Sequence, residues 1–583
     1  MPEYLSPGVY VEEIDTGSKP IEGVSTSTVG FVGETERGPL DPILVCSMAE
    51  FERYYGGIIP FSNSASVKSF LPQAAKGFFE NGGKRCFVAR VVGQDNKTAT
   101  AMVGGGGTDV TPRSIKITKQ TLSSLKAKKE PEEIIKKIEN LIDQEFTEQS
   151  LANQLNELLE DEKVAERIKK KVIMLQTKPS QSHQGEMLTV AAANPGTWGN
   201  RIEVTVDRAD LLDPKNNKLK VTISYWKSDT QFANRDDQPP HLFESFEGSI
   251  NQTDPDFLAD QINRQSNLIK IDGENLNPLQ DAAGFVLEGG SNGVAAGITD
   301  YEGKRISNEF AIGLKSFEDV DEISIVGIPA EFSNNDDYIR INKLLALHCE
   351  NAKDRFAILQ SRRDPGLINE LLPPVDSKYA AFYYPWLKVS TEGRTEEIPP
   401  TGHLAGIYAR TDVERGVHKA PANEVVRGIL GLTAQTSKGQ QDILNPRGVN
   451  CIRSFPGRGI RVWGARTTSS DPLWKYINVR RLFLAIEESI DEGTQWVVFE
   501  PNHQSLWARV KQSITQYLTS VWREGALMGM TRDEAFFVTC DETTMTQNDI
   551  DIGRLIVKVG IAPVKPAEFV IFRITQSRNG MLN

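Results

Sequence analysis

The sequence predicts a multidomain α/β (α+β) protein, and three observations carry that reading. The chain has 583 residues, about twice what one hydrophobic core accommodates, since cores stop growing near roughly 250–300 residues. Short β-prone apolar runs alternate with helical patterns along most of it, the order expected of α/β units. Hydrophobic residues make up 39% and charged residues 25%, a composition that folds rather than staying disordered. Two to four domains are expected.

The elements follow in chain order. The first 22 residues hold Pro2, Pro7, Gly8, Gly17 and Pro20 around one strand-like stretch, Val9-Tyr10-Val11. That stretch is too short to bury a face of its own, so it reads as an arm that must pair with something. Thr28 to Val32 is the first core strand, ended by Gly33 and a loop at Gly38-Pro39. Ala49 to Tyr55 and Val67 to Glu80 have helical patterns, the second closing at Asn81-Gly82-Gly83. Arg85 to Val92 reads as a buried strand.

Residues 94–112 are polar and Gly-rich. From 131 to 172, Ile134, Ile138, Leu141 and Ile142, then Leu151, Leu155, Leu158 and Leu159, recur at helical spacing in a highly charged stretch. β-like sequence resumes at Leu188, with strands expected at Ile202 to Val206, Leu219 to Tyr225, Leu268 to Ile271 and Phe285 to Glu288, and a helix at Phe257 to Asn263. A second α/β stretch follows: strands at Ile323 to Ile328, Phe356 to Gln360, Tyr379 to Tyr384 and Ile452 to Phe455. Helices are expected at Ile339 to Lys353, Asn423 to Leu430 and Tyr476 to Ile490.

Residues 502–524 form the clearest amphipathic helix, with Asn502 as cap and Leu506, Val510, Ile514, Tyr517 and Val521 on one stripe. Arg509, Lys511, Gln512, Gln516 and Arg523 take the other face. Glu568 to Thr575 is strongly β-prone, with Phe569 and Ile571 pointing one way and Val570, Phe572 and Ile574 the other. A strand apolar on both faces needs partners on both faces, so this is a second arm.

Composition and motifs exclude several chemistries. Lys plus Arg is 66 against 78 Asp plus Glu, a net charge of −12, which disfavours gripping a nucleic-acid backbone. The apolar runs Leu482 to Ile486 and Trp496 to Phe499 fall far short of the ~20 residues of a membrane span. The sequence from Met1 to Leu5 lacks a basic and apolar leader, so synthesis and folding in the cytoplasm are expected. Five scattered cysteines without a C-x-x-C pair read as buried free thiols. Gly289-Gly290-Ser291-Asn292-Gly293 fits the G-x-S-x-G of a nucleophile elbow, but Val294-Ala295-Ala296-Gly297 is a poor start for the helix an elbow requires. A plain turn explains it better. The glycines at 104–107 lack a following Gly-Lys-Ser/Thr. His348-Cys349-Glu350 cannot converge on one ion from successive helix positions. Arg458, Arg461, Trp463, Arg466 and Trp474 interleave like a stacking platform, yet with this net charge a protein interface suits them better. No catalytic, cofactor-binding or metal-binding residues are assigned, and no enzyme activity is expected.

Ser6-Pro7-Gly8-Val9-Tyr10-Val11-Glu12-Glu13, Pro195-Gly196-Thr197-Trp198-Gly199-Asn200, Pro399 to Gly406 and Arg415 to Asn423 are segments that together resemble contractile tail sheath proteins. Ser6 to Glu13 is similar to the family's first arm; Ile21 to Thr28, Phe31-Val32-Gly33, Arg37-Gly38-Pro39, Phe78 to Gly83 and Val88 to Val91 continue the resemblance. Ala193 to Asn200 is similar to the family's P-G-x-W-G-N turn. Tyr383 to Trp386, Pro399 to Gly406, Arg415 to Asn423, Asn445 to Asn450 and Trp463 to Thr467 complete it. The resemblance spans about 1–93, 188–206 and 285–583, and leaves out the charged segment 113–180.

The resemblance implies a mixed-sheet sheath core with an outward insertion and strand-exchanging arms. It implies a structural subunit that forms a homo-oligomer of stacked hexameric rings around an inner tube protein. Baseplate and terminal cap proteins are the further partners, with neither nucleic acid nor membrane insertion. Such a particle, a phage tail or a phage-like injection device, is assembled in the bacterial cytoplasm. The expected divisions are an arm at 1–22, a central α/β core of 23–93 with 300–460, an outer insertion at 94–299 including 113–180, an inner tube-facing domain at 461–566 and an arm at 567–583. Val9, Tyr10, Val11, Phe569, Val570, Ile571, Phe572 and Ile574 are the expected exchanged-strand residues, and Arg509 and Lys511 the candidate tube contacts. An α/β hydrolase using the Gly289–Gly293 turn, or another tube or capsid subunit, is the competing reading.

Overall fold

A computed structural model describes residues 20–57, 67–103, 188–208, 218–273, 275–280 and 284–571, with two short paired strands at Ile115–Lys116 and Glu145–Phe146. The helices expected within 131–172 and the strand Val9 to Val11 lie outside the described residues.

The fold is mixed α/β, built on an eight-stranded sheet. Its order is Ile43–Val45, Cys86–Val91, Val29–Glu34, Ile325–Gly327, Phe356–Gln360, Ala380–Tyr384, Val449–Phe455 and Gly459–Trp463. The six inner strands are parallel and the two edge strands antiparallel. Every residue of Val29–Glu34, Cys86–Val91, Phe356–Gln360 and Ala380–Tyr384 is buried. Parallel strands covered on both faces read as continuous apolar runs, which is why they stood out in the sequence.

The helix Thr401–Arg415 went unrecognised in the sequence. Its residues from Thr401 to Thr411 are all buried, so it has no polar face to betray a helical period. It lies against the helix Leu71–Glu80 at backbone distance. A Cβ at Gly402 would overlap the Ala74 carbonyl, and one at Gly406 the Phe78 carbonyl. The Pro399 to Gly406 motif therefore encodes close packing.

Four expectations are corrected. Residues 67–80 are not one helix: Val67–Ser69 is a strand paired with Ala330–Phe332, and the helix begins at Leu71 with Pro72 in its first turn. Asn423 to Leu430 is not helical. Asn423 and Val426 donate their N–H groups to Val462 and Ile460 along the sheet edge, and Asn423 and Gly428 have φ of 60° and 76°. The amphipathic helix is Gln504–Arg523, capped by His503 rather than Asn502; Asn502 instead accepts from Trp507 Nε1 at 2.7 Å. Among the cysteines, four are buried but Cys46 is exposed.

A second apolar core joins a four-stranded sheet (Leu242–Ser249, Lys218–Tyr225, Ile202–Arg208, Gly284–Val286) to a three-stranded one (Ile269–Asp272, Leu188–Ala192, Thr100–Val103). It meets the central body through Glu36, which accepts from Arg201 at 2.7 Å and from the Tyr225 hydroxyl at 2.8 Å. A third core packs Gln504–Arg523 on Ile477–Thr494 and on the two-stranded sheet Phe536–Thr539 with Lys558–Ile561. No described helix is long and apolar enough to cross a membrane.

Candidate assembly site at the roots of the arms

The helix Ile477–Thr494 holds both peripheral segments. At its start, Asn478 Nδ2 donates to the carbonyls of His418 (2.8 Å) and Val564 (3.2 Å), and the Tyr476 hydroxyl donates to Glu568 at 3.1 Å. Further along, Ser489 Oγ accepts from Val24 N–H at 3.1 Å and Arg481 donates to the Thr26 carbonyl at 2.8 Å. Gly493 makes room for Ile21, where a Cβ would come within 2.6 Å of the isoleucine.

Each root has an ionic anchor. Arg481 grips Asp412 through bonds of 2.9 and 2.6 Å, with both side chains only 3% exposed. Thr26 Oγ1 adds a bond of 2.8 Å to the same carboxylate. The other anchor is Arg466, whose Nε and Nη2 each donate to Glu568 at 2.8 Å. Asn445 Nδ2 donates to Glu568 at 2.7 Å and Lys475 lies 3.6 Å away. Burial alone would raise the Glu568 pKa, but the bonds from Arg466 and Asn445 outweigh it and hold the carboxyl down at about 2. Arg466 is itself fixed by Asn450, which accepts from its N–H at 2.8 Å and donates to its carbonyl at 2.7 Å. The Asn445 to Asn450 and Trp463 to Thr467 motifs thus build one clamp.

Beyond Glu568 the character changes abruptly. Phe569, Val570 and Ile571 are 71%, 70% and 79% exposed and belong to no strand. Its described part, Glu568 to Ile571, is thus not in a strand, while Phe572 and Ile574, like Val9, Tyr10 and Val11, lie outside the described residues. The sheet Phe536–Thr539 with Lys558–Ile561 has no third strand among the described residues, and Phe537 is 59% exposed.

The remaining sequence candidates are scattered. Arg509 donates to Glu500 at 3.3 Å and lies over Trp496 at 5.0 Å, whereas Lys511 is exposed and without an ion pair among the described residues. The Gly289–Gly293 segment is a structural turn. Asn200 bonds Gly290 in both directions at 3.0 and 2.7 Å, Ser291 Oγ accepts from Gly293 N–H at 3.1 Å, and the next helix starts only at Ile298. That departs from the strand–nucleophile–helix geometry of an elbow. Glu568, Arg466, Asp412 and Arg481 were missed as a group. Their pairings span 102 and 69 residues, and no periodic pattern marks so distant a partner.

Comparison with known proteins places this architecture. Residues 311–468 match the phage tail sheath protein central domain and residues 469–577 the phage tail sheath C-terminal domain. The tail sheath protein of Vibrio phage KVP40 is 28% identical over 181 residues, 30% of this chain and 26% of the relative. That of Escherichia phage P2 is 29% identical over 181 residues, 30% of this chain and 43% of the relative. These alignments span between a quarter and under half of the relatives' length. The helical sheath of the anti-feeding prophage in its contracted state shares the fold, with a TM-score of 0.52 at 22% identity over 99% of this chain and 100% of that one. The fold is that of a solved contractile sheath, and the matched segments are those of phage tail sheath domains. Over residues 311–577 the chain has the central and C-terminal domains of the contractile tail sheath family.

Proposed function

We propose that the chain is a sheath subunit that polymerises into a helical sleeve of stacked hexameric rings around an inner tube. The sleeve assembles with a baseplate and a terminal cap, and its contraction drives the tube through a target envelope. The observation that carries this reading is the contrast at Glu568. The segment up to that residue is clamped, and the three apolar residues after it are exposed, while among the described residues they pair with no strand and the two-stranded sheet has no third strand.

In this reading the arms of neighbouring subunits add strands to that sheet. Main-chain hydrogen bonds of an added strand survive rotation of the bodies they link, so the links act as hinges during contraction. The separate apolar core between Ala99 and Leu287 supports an outer insertion at 94–299, and the core around Gln504–Arg523 an inner, tube-facing unit at 461–566. Arg509 and Lys511 then face the tube, and reversing both charges weakens sleeve attachment to it.

The test is removal of 569–583, which keeps the Glu568 clamp. A protomer with unchanged circular dichroism that forms no sleeves by electron microscopy is the expected result. Normal sleeves would overturn the strand-exchange reading.

A further inference from the structure

Two charged features at opposite ends of the central sheet carry groups that have no ion pair among the described residues. The first is the tip of the hairpin joining Val449–Phe455 to Gly459–Trp463. Cys451 pairs with Tyr384, the last residue of the neighbouring strand, so Phe455 reaches four residues, about 13 Å, past the carboxyl end of that strand. Gly457 and Gly459, at φ of 70° and 75°, make the turn. The Phe455 and Trp463 rings lie 4.5 Å apart, and the Arg458 guanidinium sits over both at 5.7 and 5.8 Å. Arg453 lies over Phe455 at 5.3 Å, and Arg461 is braced by the carbonyls of Arg458 (3.0 Å) and Asn423 (2.6 Å). The nearby carboxylates are spent elsewhere: Glu424 on Arg410 and Lys419, Glu568 on Arg466. Among the described residues, Arg453, Arg458 and Arg461 have no ion pair.

The second is a cleft of about 150 Å³ at the amino ends of the parallel strands, between the Val24–Thr26 segment, the residues leading into Ile325–Gly327 and Phe356–Gln360, and the helix Ile477–Thr494. Arg85 pairs with Glu322, Arg355 with Asp354 and Arg481 with Asp412. Asp321, Glu488 and Glu492 line the same cleft with no cation paired to them among the described residues. Burial and the neighbouring Asp354, Glu492 and Asp321 raise the Glu488 carboxyl to about 7.

We propose that the arginine hairpin of one copy docks into the carboxylate cleft of the next, head to tail along the strands of the central sheet. This rests on the polymer reading above and names one of its contacts. Because the two features sit at opposite ends of one sheet, they cannot meet within a protomer. A contact between different patches of successive copies repeats head to tail, closing into a ring or running on as a helix according to its rotation. Guanidinium groups already stacked on aromatic rings lose little freedom on docking. Uncompensated carboxylates on the same chain, and its charge of −12, favour a carboxylate partner over a phosphate backbone.

The test is a reciprocal charge swap in the full chain, with wild-type sleeves as reference. Arg458→Glu with Arg461→Glu, and separately Glu488→Lys with Glu492→Lys, each raise the concentration needed for polymerisation by roughly tenfold or more. The combined variant recovers most of that loss. A combined variant no better than either parent overturns the proposal, as does normal assembly of either parent. If the parents fold poorly, cysteines at Arg458 and Glu492, placed on separate copies in a Cys46→Ser background, replace the swap. An oxidised cross-link between copies supports the contact, and its absence from intact sleeves overturns it. Duplex DNA binding abolished by the arginine reversal, without rescue by the swap, makes the hairpin a phosphate reader and also overturns the proposal. Failure of the wild-type chain to polymerise would fault the sheath reading itself, whereas failure of the swap alone faults only this contact.

Discussion

Arg466 holds the Glu568 carboxylate with two parallel hydrogen bonds of 2.8 Å, one residue before the chain becomes exposed and apolar. Paired guanidinium–carboxylate bonds fix direction as well as position. The chain therefore leaves Glu568 in a set direction. Arg466→Lys keeps the charge but loses the fork, and sleeves of that variant should form more slowly although its thermal midpoint moves little. Light-scattering kinetics beside a melting curve check this.

The same pair sets an acid limit. The Glu568 pKa lies at about 2 against an ordinary value of 4.5. A depressed carboxylate contributes its stability fully above the ordinary value and loses it as pH falls toward the lowered one. Docking of the arm root should weaken progressively from about pH 4.5 down to about pH 2, by on the order of 2 kcal/mol once partial exposure is allowed for. Proteolysis near residue 568 should accelerate over that window, and Glu568→Gln should be equally susceptible at every pH.

Asp412 and Arg481 form a buried pair, and removing one member strands the other. Asp412→Ala should destabilise the protomer by about 3–5 kcal/mol, measured by denaturant unfolding. Replacing both by leucine should recover much of the loss, since an apolar pair of similar volume leaves no buried charge.

Much of the fold was legible because the parallel strands are continuous apolar runs and Gln504–Arg523 has a stripe of buried Leu506, Val510, Ile514 and Val521. What escaped has physical causes. Thr401–Arg415 is buried all round from Thr401 to Thr411 and shows no period there. In residues 423–430 only the spacing is helical, with Val425 four before Ile429 and Val426 four before Leu430, and the open edge of Gly459–Trp463 offers their N–H groups partners in an extended course. At the arm roots the apolar residues Phe569 to Ile571 were visible in sequence. The clamp that aims them was not, because Arg466, Asn445, Tyr476 and Glu568 converge only in three dimensions.

Backbone-distance packing of the two buried helices gives a sharper mutational test than any surface change. At Gly402 an added methyl has no room beside the Ala74 backbone, and backbone cannot swing aside as a side-chain end can. Gly402→Ala should cost more than the usual overpacking range of about 1–3 kcal/mol and yield mostly insoluble protein. Gly439→Ala, where nothing lies within 4 Å of the added carbon, should be neutral or slightly stabilising in the same expression and melting assays.

Glu488 makes the protomer itself pH-sensitive near neutrality. It faces Asp354, Arg355 and Asp321 from the sheet loops and Glu492 on its own helix, in a cleft that also holds Arg85, Glu322 and Arg481. Its pKa of about 7 lies above the ordinary 4.5, so the fold disfavours the charged form. Its contribution to stability is then full below about pH 4.5 and is lost as pH rises through about 7. Partial exposure limits the effect to about 1 kcal/mol. The monomer's thermal midpoint should fall between about pH 5 and pH 8, and Glu488→Gln should remove that slope. In sleeves the sign reverses if a neighbour's arginines occupy the cleft: docked guanidinium groups favour the carboxylate, so polymerisation should strengthen as pH rises through 7 in the wild type and stay flat in the glutamine variant.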